Sequence, residues 1–174
     1  MRLHIVVSVN EALHRVGEPF PFTWEGKPEP QSFAGDPVTF VGTGKLIGTY
    51  VYDGKTFRVD AEAEVSYETT CARCNRPMVQ TLSFPFTEHF VRSIYKTPDD
   101  ELYPYEGEKL DLTEAFFDNF FLEMPMTTVC SESCKGLCPV CGADLNLGQC
   151  SCSKQKIDAR LSALESLLND HKEV

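Results

Sequence analysis

The longest regular alternation in the chain runs from Phe57 to Glu68. Phe57, Val59, Ala61, Ala63, Val65 and Tyr67 alternate with Arg58, Asp60, Glu62, Glu64, Ser66 and Glu68. A strict period of two over this length predicts a β-strand with one face packed and the other in water. Met78, Leu82, Phe84, Phe86 and Phe90 resume the same period further on, so the intervening Cys71 to Pro77 reads as the tip of a β-hairpin. Within the second arm, Pro85 predicts an edge or a bulge, because proline offers no N–H to a ladder. Upstream, residues 38 to 52 are strand-like but carry Gly42, Gly44 and Gly48, which suit bulges or strong coiling, and Asp53-Gly54 reads as a two-residue hairpin turn. Residues 1 to 10 alternate weakly and predict a strand ending near Asn10. Residues 17 to 37 hold Pro19, Pro21, Pro28, Pro30 and Pro37 with Gly17, Gly26 and Gly35, and read as a connector whose Phe20, Phe22 and Trp24 dock on the core.

The period then changes. Leu112, Phe116 and Phe120 recur at helical spacing beside Ala115, Phe117 and Phe121, with Asp111 as N-cap and Glu114 three positions on. A helix over 111–124 is expected, stopping before Pro125 and packing its wide apolar surface on the sheet. Asp158 caps a second predicted helix over 158–170, with Leu161, Leu164, Leu167 and Leu168 on one side. Between strands and first helix, residues 97 to 109 read as an acidic loop containing Asp99, Asp100, Glu101, Glu106 and Glu108. The whole predicts an α+β fold: an antiparallel, strongly coiled β-sheet with one or two packed helices and a cysteine-rich zinc-knuckle lobe. The expected organisation is a single domain over 1–174, with the sheet in 36–96 and the lobe in 130–152. No repeat and no low-complexity tail appears.

Cysteine placement supplies the chemistry. Six of the eight cysteines fall between Cys130 and Cys152, as Cys130, Cys134, Cys138, Cys141, Cys150 and Cys152, and the other two, Cys71 and Cys74, sit on the predicted hairpin tip. Cys138-Pro-Val-Cys141-Gly142 has the composition of a zinc knuckle, a tight turn that aims two sulfurs and nearby N–H groups at one ion. Disulfides would need an oxidising compartment, and Met1 to Asn10 shows neither an apolar signal core nor a cleavage site, so a cytoplasmic location is expected. No apolar run reaches membrane-spanning length. Cys71-Ala-Arg-Cys74 is also a poor redox motif, since it lies between strands instead of opening a helix. Pairing by proximity predicts two zinc sites, one of Cys71, Cys74, Cys130 and Cys134 and one of Cys138, Cys141, Cys150 and Cys152. A single site built on Cys138, Cys141 and two others is the alternative.

Charge narrows the partners. With 26 acidic and 16 basic residues the chain carries a formal charge of −10, which disfavours broad electrostatic capture of nucleic acid and suits a basic protein partner. The cations nevertheless gather near the cysteines: Arg73, Arg76, Lys135, Lys154, Lys156 and Arg160 are candidates for RNA or partner contact, or for offsetting thiolate charge. His4, His14, His89 and His171 are scattered and assemble no base. No phosphate-binding glycine loop or nucleophile elbow is present, so an enzyme is not expected.

The run Cys134-Lys-Gly-Leu-Cys138-Pro-Val-Cys141-Gly-Ala-Asp-Leu-Asn146, followed by Cys150-Ser-Cys152 and Asp158-Ala-Arg-Leu161, resembles the C-terminal signature of the bacterial YceD family. Cys71-Ala-Arg-Cys74 and Leu122-Glu-Met-Pro125 resemble its other recurring features, and Ala159 stands where that family's pattern has proline. The resemblance covers roughly residues 36 to 170. It implies a non-catalytic role in accumulation of large-subunit (23S) ribosomal RNA and 50S assembly, acting on pre-ribosomal RNA or a basic 50S ribosomal protein, with no small-molecule substrate. The rival reading from the cysteines is a thiol and zinc redox sensor or holdase.

Overall fold

In the computed structural model, which describes residues 4–33, 35–97 and 101–152, the alternating segment forms β6 (Thr56–Thr70) and its partner forms β7 (Pro77–Arg92). They pair antiparallel without a break from Thr56↔Val91 to Thr70↔Pro77. Preceding them are β1 (Val6–Ser8), the single-turn helix α1 (Asn10–Leu13), β2 (Pro19–Gly26), the ribbon strands β3 (Gln31–Phe33) and β4 (Asp36–Val38), and β5 (Phe40–Tyr52). A 3₁₀ turn at Ser93–Tyr95 leads to β8 (Tyr103–Tyr105), β9 (Lys109–Asp111) and helix α2 (Thr113–Glu123). The main sheet has the order β2-β5-β6-β7-β8 and is antiparallel except for β7–β8. Two small ribbons, β1-β9 and β3-β4, accompany it.

The packed face of β6 is the one its sequence marks. Phe57, Val59, Ala63, Val65 and Tyr67 are buried, while Arg58, Glu62, Glu64 and Glu68 are exposed. Phe84, Phe86 and Phe90 of β7 join them, and α2 lies over this face. Phe116 meets Phe84 and Trp24, and Phe120 meets Phe40, Tyr67 and Phe84, with ring centroids 5.1–6.4 Å apart. Such tilted and edge-on pairs add to area burial. Phe117 and Phe121 are half-buried and also engaged, Phe117 on Phe40 and Phe121 stacked on Phe33 at 4.7 Å.

Several expectations change. Residues 17–37 are not a connector: β2 pairs with β5 from Pro19↔Val51 to Gly26↔Gly44. An edge strand tolerates this proline content because alternate residues turn their N–H groups away from the partner, and Pro19 and Pro21 are two apart. Phe20, Phe22 and Trp24 then share its inner face and pack on the core. Pro85 lies where β7 has no second neighbour, since β8 reaches only Phe90 to Arg92, and the β6–β7 register shows no bulge. A register shift does occur in β5 between Val41 and Lys45, around Gly42 at φ 71°. Gly48 is no bulge; a Cβ there would lie 2.4 Å from that of Ala61, so glycine permits close strand approach. The hairpin turn is displaced by one residue: Asp53 N–H bonds Thr56 O, and Gly54 takes φ 98°. The acidic segment 97–109 is not all loop, because Tyr103–Tyr105 adds to the sheet and Lys109–Asp111 pairs with β1. Helix α2 begins two residues later than expected, with Asp111 accepting the N–H of Thr113 at 3.0 Å from the end of β9. The predicted helix at 158–170, and Lys154, Lys156 and Arg160, lie outside the described residues.

The chain divides into two compact units, one comprising residues 1–71 and 77–128, the other 72–76 with the chain from Val129 onward. The first holds the sheet and α2. Among the described residues of the second, every buried side chain belongs to a cysteine: Cys74, Cys134 and Cys138.

Candidate metal centre

The eight sulfurs gather in two sets of four, Cys71 with Cys74, Cys130 and Cys134, and Cys138 with Cys141, Cys150 and Cys152, the sulfurs in each set lying within 4.8 Å of one another. None is in a disulfide. This is the division that proximity predicts. Local backbone makes it so. Each C-x2-C turn ends on a residue in left-handed conformation, Asn75 at φ 55° after Cys74 and Gly142 at φ 73° after Cys141. Asparagine is among the few non-glycine residues that tolerate this region, so the two turns are built alike from different residues. Gly142 N–H closes the second turn on Cys138 O at 2.9 Å, and Cys138 N–H bonds Ala143 O at 2.8 Å.

Gly136 makes a further close approach. At φ 73°, it places its Cα so that a Cβ would sit 2.9 Å from the carbonyl oxygen of Arg73, while Leu137 N–H donates to that same oxygen at 3.0 Å. Arg73 completes the clasp, its guanidinium donating to Glu132 O at 2.9 Å and Cys134 O at 3.1 Å. Asn146 supports the first set. Its amide donates to Cys134 Sγ at 3.5 Å and to Asp144 Oδ1 at 2.7 Å, and its Oδ1 accepts Lys135 N–H at 2.8 Å. Asp144 in turn holds Arg76 at 3.1 Å through Oδ2. Arg76, Asp144, Asn146 and Cys134 thus form one chain of polar contacts around the sulfurs. Such supporting contacts orient ligands in metal sites.

The sulfurs are tuned by these donors. The N–H of Cys141, then that of Val140, which lies 3.4 Å from the sulfur, pull the Cys138 thiol down to about 6. The Gly136 N–H does the same in direction for Cys134, with help from Asn146. Cys152 moves the other way, to about 12, because it donates to Cys141 and is partly buried. Asp144 is held below the usual carboxylate range chiefly by the N–H of Asn146.

The donor set fits a tetrahedral thiophilic cation. A Zn–S bond of ~2.3 Å puts the sulfurs of a tetrahedron ~3.8 Å apart, with no histidine or carboxylate needed. The Sγ atoms of Cys74 and Cys130 are 3.8 Å apart. Burial argues the same way, since the described residues of this unit bury no side chain but cysteine and form no apolar core that would hold them without cross-linking. The sequence singled out the eight sulfurs, Arg73, Arg76 and Lys135. It gave no role to Asn75, Gly136, Asp144 and Asn146, although the last three lie in the run that resembles the family signature and Asn75 occupies after Cys74 the place of Gly142 after Cys141.

Fold and centre together define a class: an α+β sheet protein carrying a lobe of paired four-cysteine clusters. Residues 59–168 match the family described as large ribosomal RNA subunit accumulation protein YceD, and the chain belongs to that family. It is 34% identical over 70 residues to the large ribosomal RNA subunit accumulation protein YCED homolog 1, chloroplastic, of Arabidopsis thaliana, covering 40% of this chain and 22% of that protein. An uncharacterized protein of Mycobacterium tuberculosis is 32% identical over 102 residues, 56% of this chain and 49% of that one. The Bacillus subtilis protein YlbN, also uncharacterized, is 36% identical over 76 residues, 43% of this chain and 44% of its own length. The chain therefore spans less than half of each of these relatives. No solved structure matches it.

Proposed function

We propose that this chain is a non-catalytic, zinc-binding cytoplasmic factor that supports accumulation of large-subunit 23S ribosomal RNA and assembly of the 50S particle. The observation that carries the reading is the pair of four-sulfur clusters in a chain whose family is named for accumulation of that RNA. Four thiolates close a zinc ion's coordination and leave no position for a water or substrate, so the ions serve structure. Cys71, Cys74, Cys130 and Cys134 hold one ion, and Cys138, Cys141, Cys150 and Cys152 the other. The partner is pre-ribosomal RNA or a basic 50S protein. Arg73 and Arg76 spend their guanidinium groups on the lobe itself, which leaves them less suited to a phosphate than their sequence position implies.

The test is the ratio of 23S to 16S ribosomal RNA in cells depleted of the protein, with rescue by the wild type and by Cys138→Ser/Cys141→Ser. A selective fall in 23S RNA, restored by the wild type and not by the variant, is expected. An unchanged ratio on depletion removes the ribosomal reading, and reversible zinc loss under peroxide with a gain of holdase activity replaces it with the redox one.

A further inference from the structure

At the end of the main sheet, the β5–β6 turn and the end of β7 enclose a cleft of about 430 Å³ lined by Tyr52, Gly54, Lys55, Arg92 and Tyr95. In a chain of net charge −10 its two charged lining residues, Lys55 and Arg92, are both cationic. Among the described residues neither Lys55 nor Arg92 has a carboxylate within ion-pair distance, whereas Arg15, Arg58 and Arg76 each do. The nearby Asp53 carboxylate is taken up by the turn, accepting the N–H groups of Lys55 and Thr56 and the Thr56 hydroxyl at 2.6–2.8 Å. Arg92 is braced by its Nε donating to the Tyr105 hydroxyl at 3.4 Å, and its terminal nitrogens have no partner among the described residues. The aromatic walls differ in role. Tyr52 is fixed, packed on Phe57 with its hydroxyl donating to Gly54 O at 2.8 Å, while Tyr95 is 61% exposed beside Ile94 at 77%.

From this we infer that the cleft is a binding site for single-stranded RNA. Arg92 and Lys55 receive a backbone phosphate, and Tyr95 offers its ring to the adjoining base. A planar guanidinium fork and a compact ammonium suit phosphate oxygens. An exposed tyrosine supplies the stacking plane that an unpaired base needs and that a paired base hides. The site is lined wholly by residues of the first unit. The inference rests on the ribosomal reading above, naming the RNA-contacting surface for it.

The experiment titrates the full-length, metal-loaded protein against a fluorescein-labelled twelve-nucleotide single-stranded RNA of mixed sequence, at several salt concentrations. Lys55→Glu should weaken binding at least fivefold and reduce the salt slope by about 0.7, the increment expected for one phosphate contact on a single strand. Tyr95→Ala should weaken binding about tenfold with the slope unchanged, as loss of a stacking plane requires. Both side chains are exposed, so zinc content and melting temperature should stay at wild-type values; Arg92→Gln, which gives up a bond to Tyr105, is the supporting variant. Wild-type affinity in Lys55→Glu and Tyr95→Ala overturns the site, as does inorganic phosphate competing at the potency of the RNA, or loss in these variants of a bound protein and not of RNA. The same variants are then scored for 23S rescue. A wild type that restores the ratio alongside variants that restore it equally removes this site and leaves the ribosomal reading standing, whereas an RNA-binding defect in vitro with no ratio change on depletion removes the reading it rests on.

Discussion

Asp53 shows how much one side chain contributes when three donors converge on it. Its carboxylate accepts two turn N–H groups and one hydroxyl, and its pKa is lowered from 3.8, first by the Thr56 N–H. A carboxyl whose folded pKa is depressed contributes stability that is fully present above the unfolded value and is lost as pH falls through the folded one. Asp53→Ala should therefore lower stability at pH 7 by about 1 kcal/mol, the scale of a solvent-exposed hydrogen-bond cluster. The gap to wild type should close as pH falls below 3.8, and denaturant melts across pH 2–7 would show it. A gap that is constant with pH would assign the loss to the turn backbone. Tyr67 is the converse case. Only 2% exposed, it packs edge-on against Phe120 at 5.2 Å while its hydroxyl has no hydrogen-bond partner among the described residues. Burial raises its pKa, so the group stays a neutral phenol that still carries an unpaired donor. Tyr67→Phe keeps the ring and removes the unpaired group, and should stabilise by about 1 kcal/mol. A loss of stability on thermal melting would mean the hydroxyl is bonded in solution.

Among the elements, those governed by a repeating pattern were legible, and those governed by one position in three dimensions were not. The alternation from Phe57 to Glu68 is period two, and β6 buries the side it marks. β2 was hidden because proline and glycine weigh against a strand on average, while the edge position that excuses them depends on which strand lies beside it. The cysteine spacing showed where sulfurs pair but not what holds them. Gly136 lies outside both C-x2-C turns and looks like an ordinary loop glycine. Its place opposite Arg73 arises from the chain's return to the hairpin tip, which no local pattern records. Gly136→Ala combines a φ of 73° with a Cβ 2.9 Å from a backbone oxygen, and should cost about 1–3 kcal/mol in the lobe. The measurement is zinc affinity by competition with a chromogenic chelator. Weaker retention of the Cys71, Cys74, Cys130 and Cys134 ion is expected, and wild-type affinity would show that the segment relaxes without cost.

For the molecule as a whole, the two units rest on different physics. The first buries an aromatic-rich apolar core from Ile5 through Phe120, large enough to be stable by transfer of surface from water. The only side chains that the described part of the second buries are cysteines, and formation of structural zinc sites of this kind supplies ~10 kcal/mol or more to folding. Chelation should then act unequally. When zinc is removed from the full chain, amide exchange in 72–76 and 129–152 should rise towards unprotected rates, while β6 and β7 over 56–70 and 79–92 keep most of their protection. On the proposed reading the wild type should bind two zinc ions per chain and Cys138→Ser/Cys141→Ser one, because the sulfurs of the other set are supplied by different residues. Two ions retained by that variant would sink the division of the sulfurs, and a wild type holding one would favour the single-site alternative. If protection of 129–152 survives stoichiometric loss of zinc, the hydrogen bonds around Gly136 and Asn146 suffice without metal, and the Cys134 thiol they lower is then poised for chemistry other than coordination.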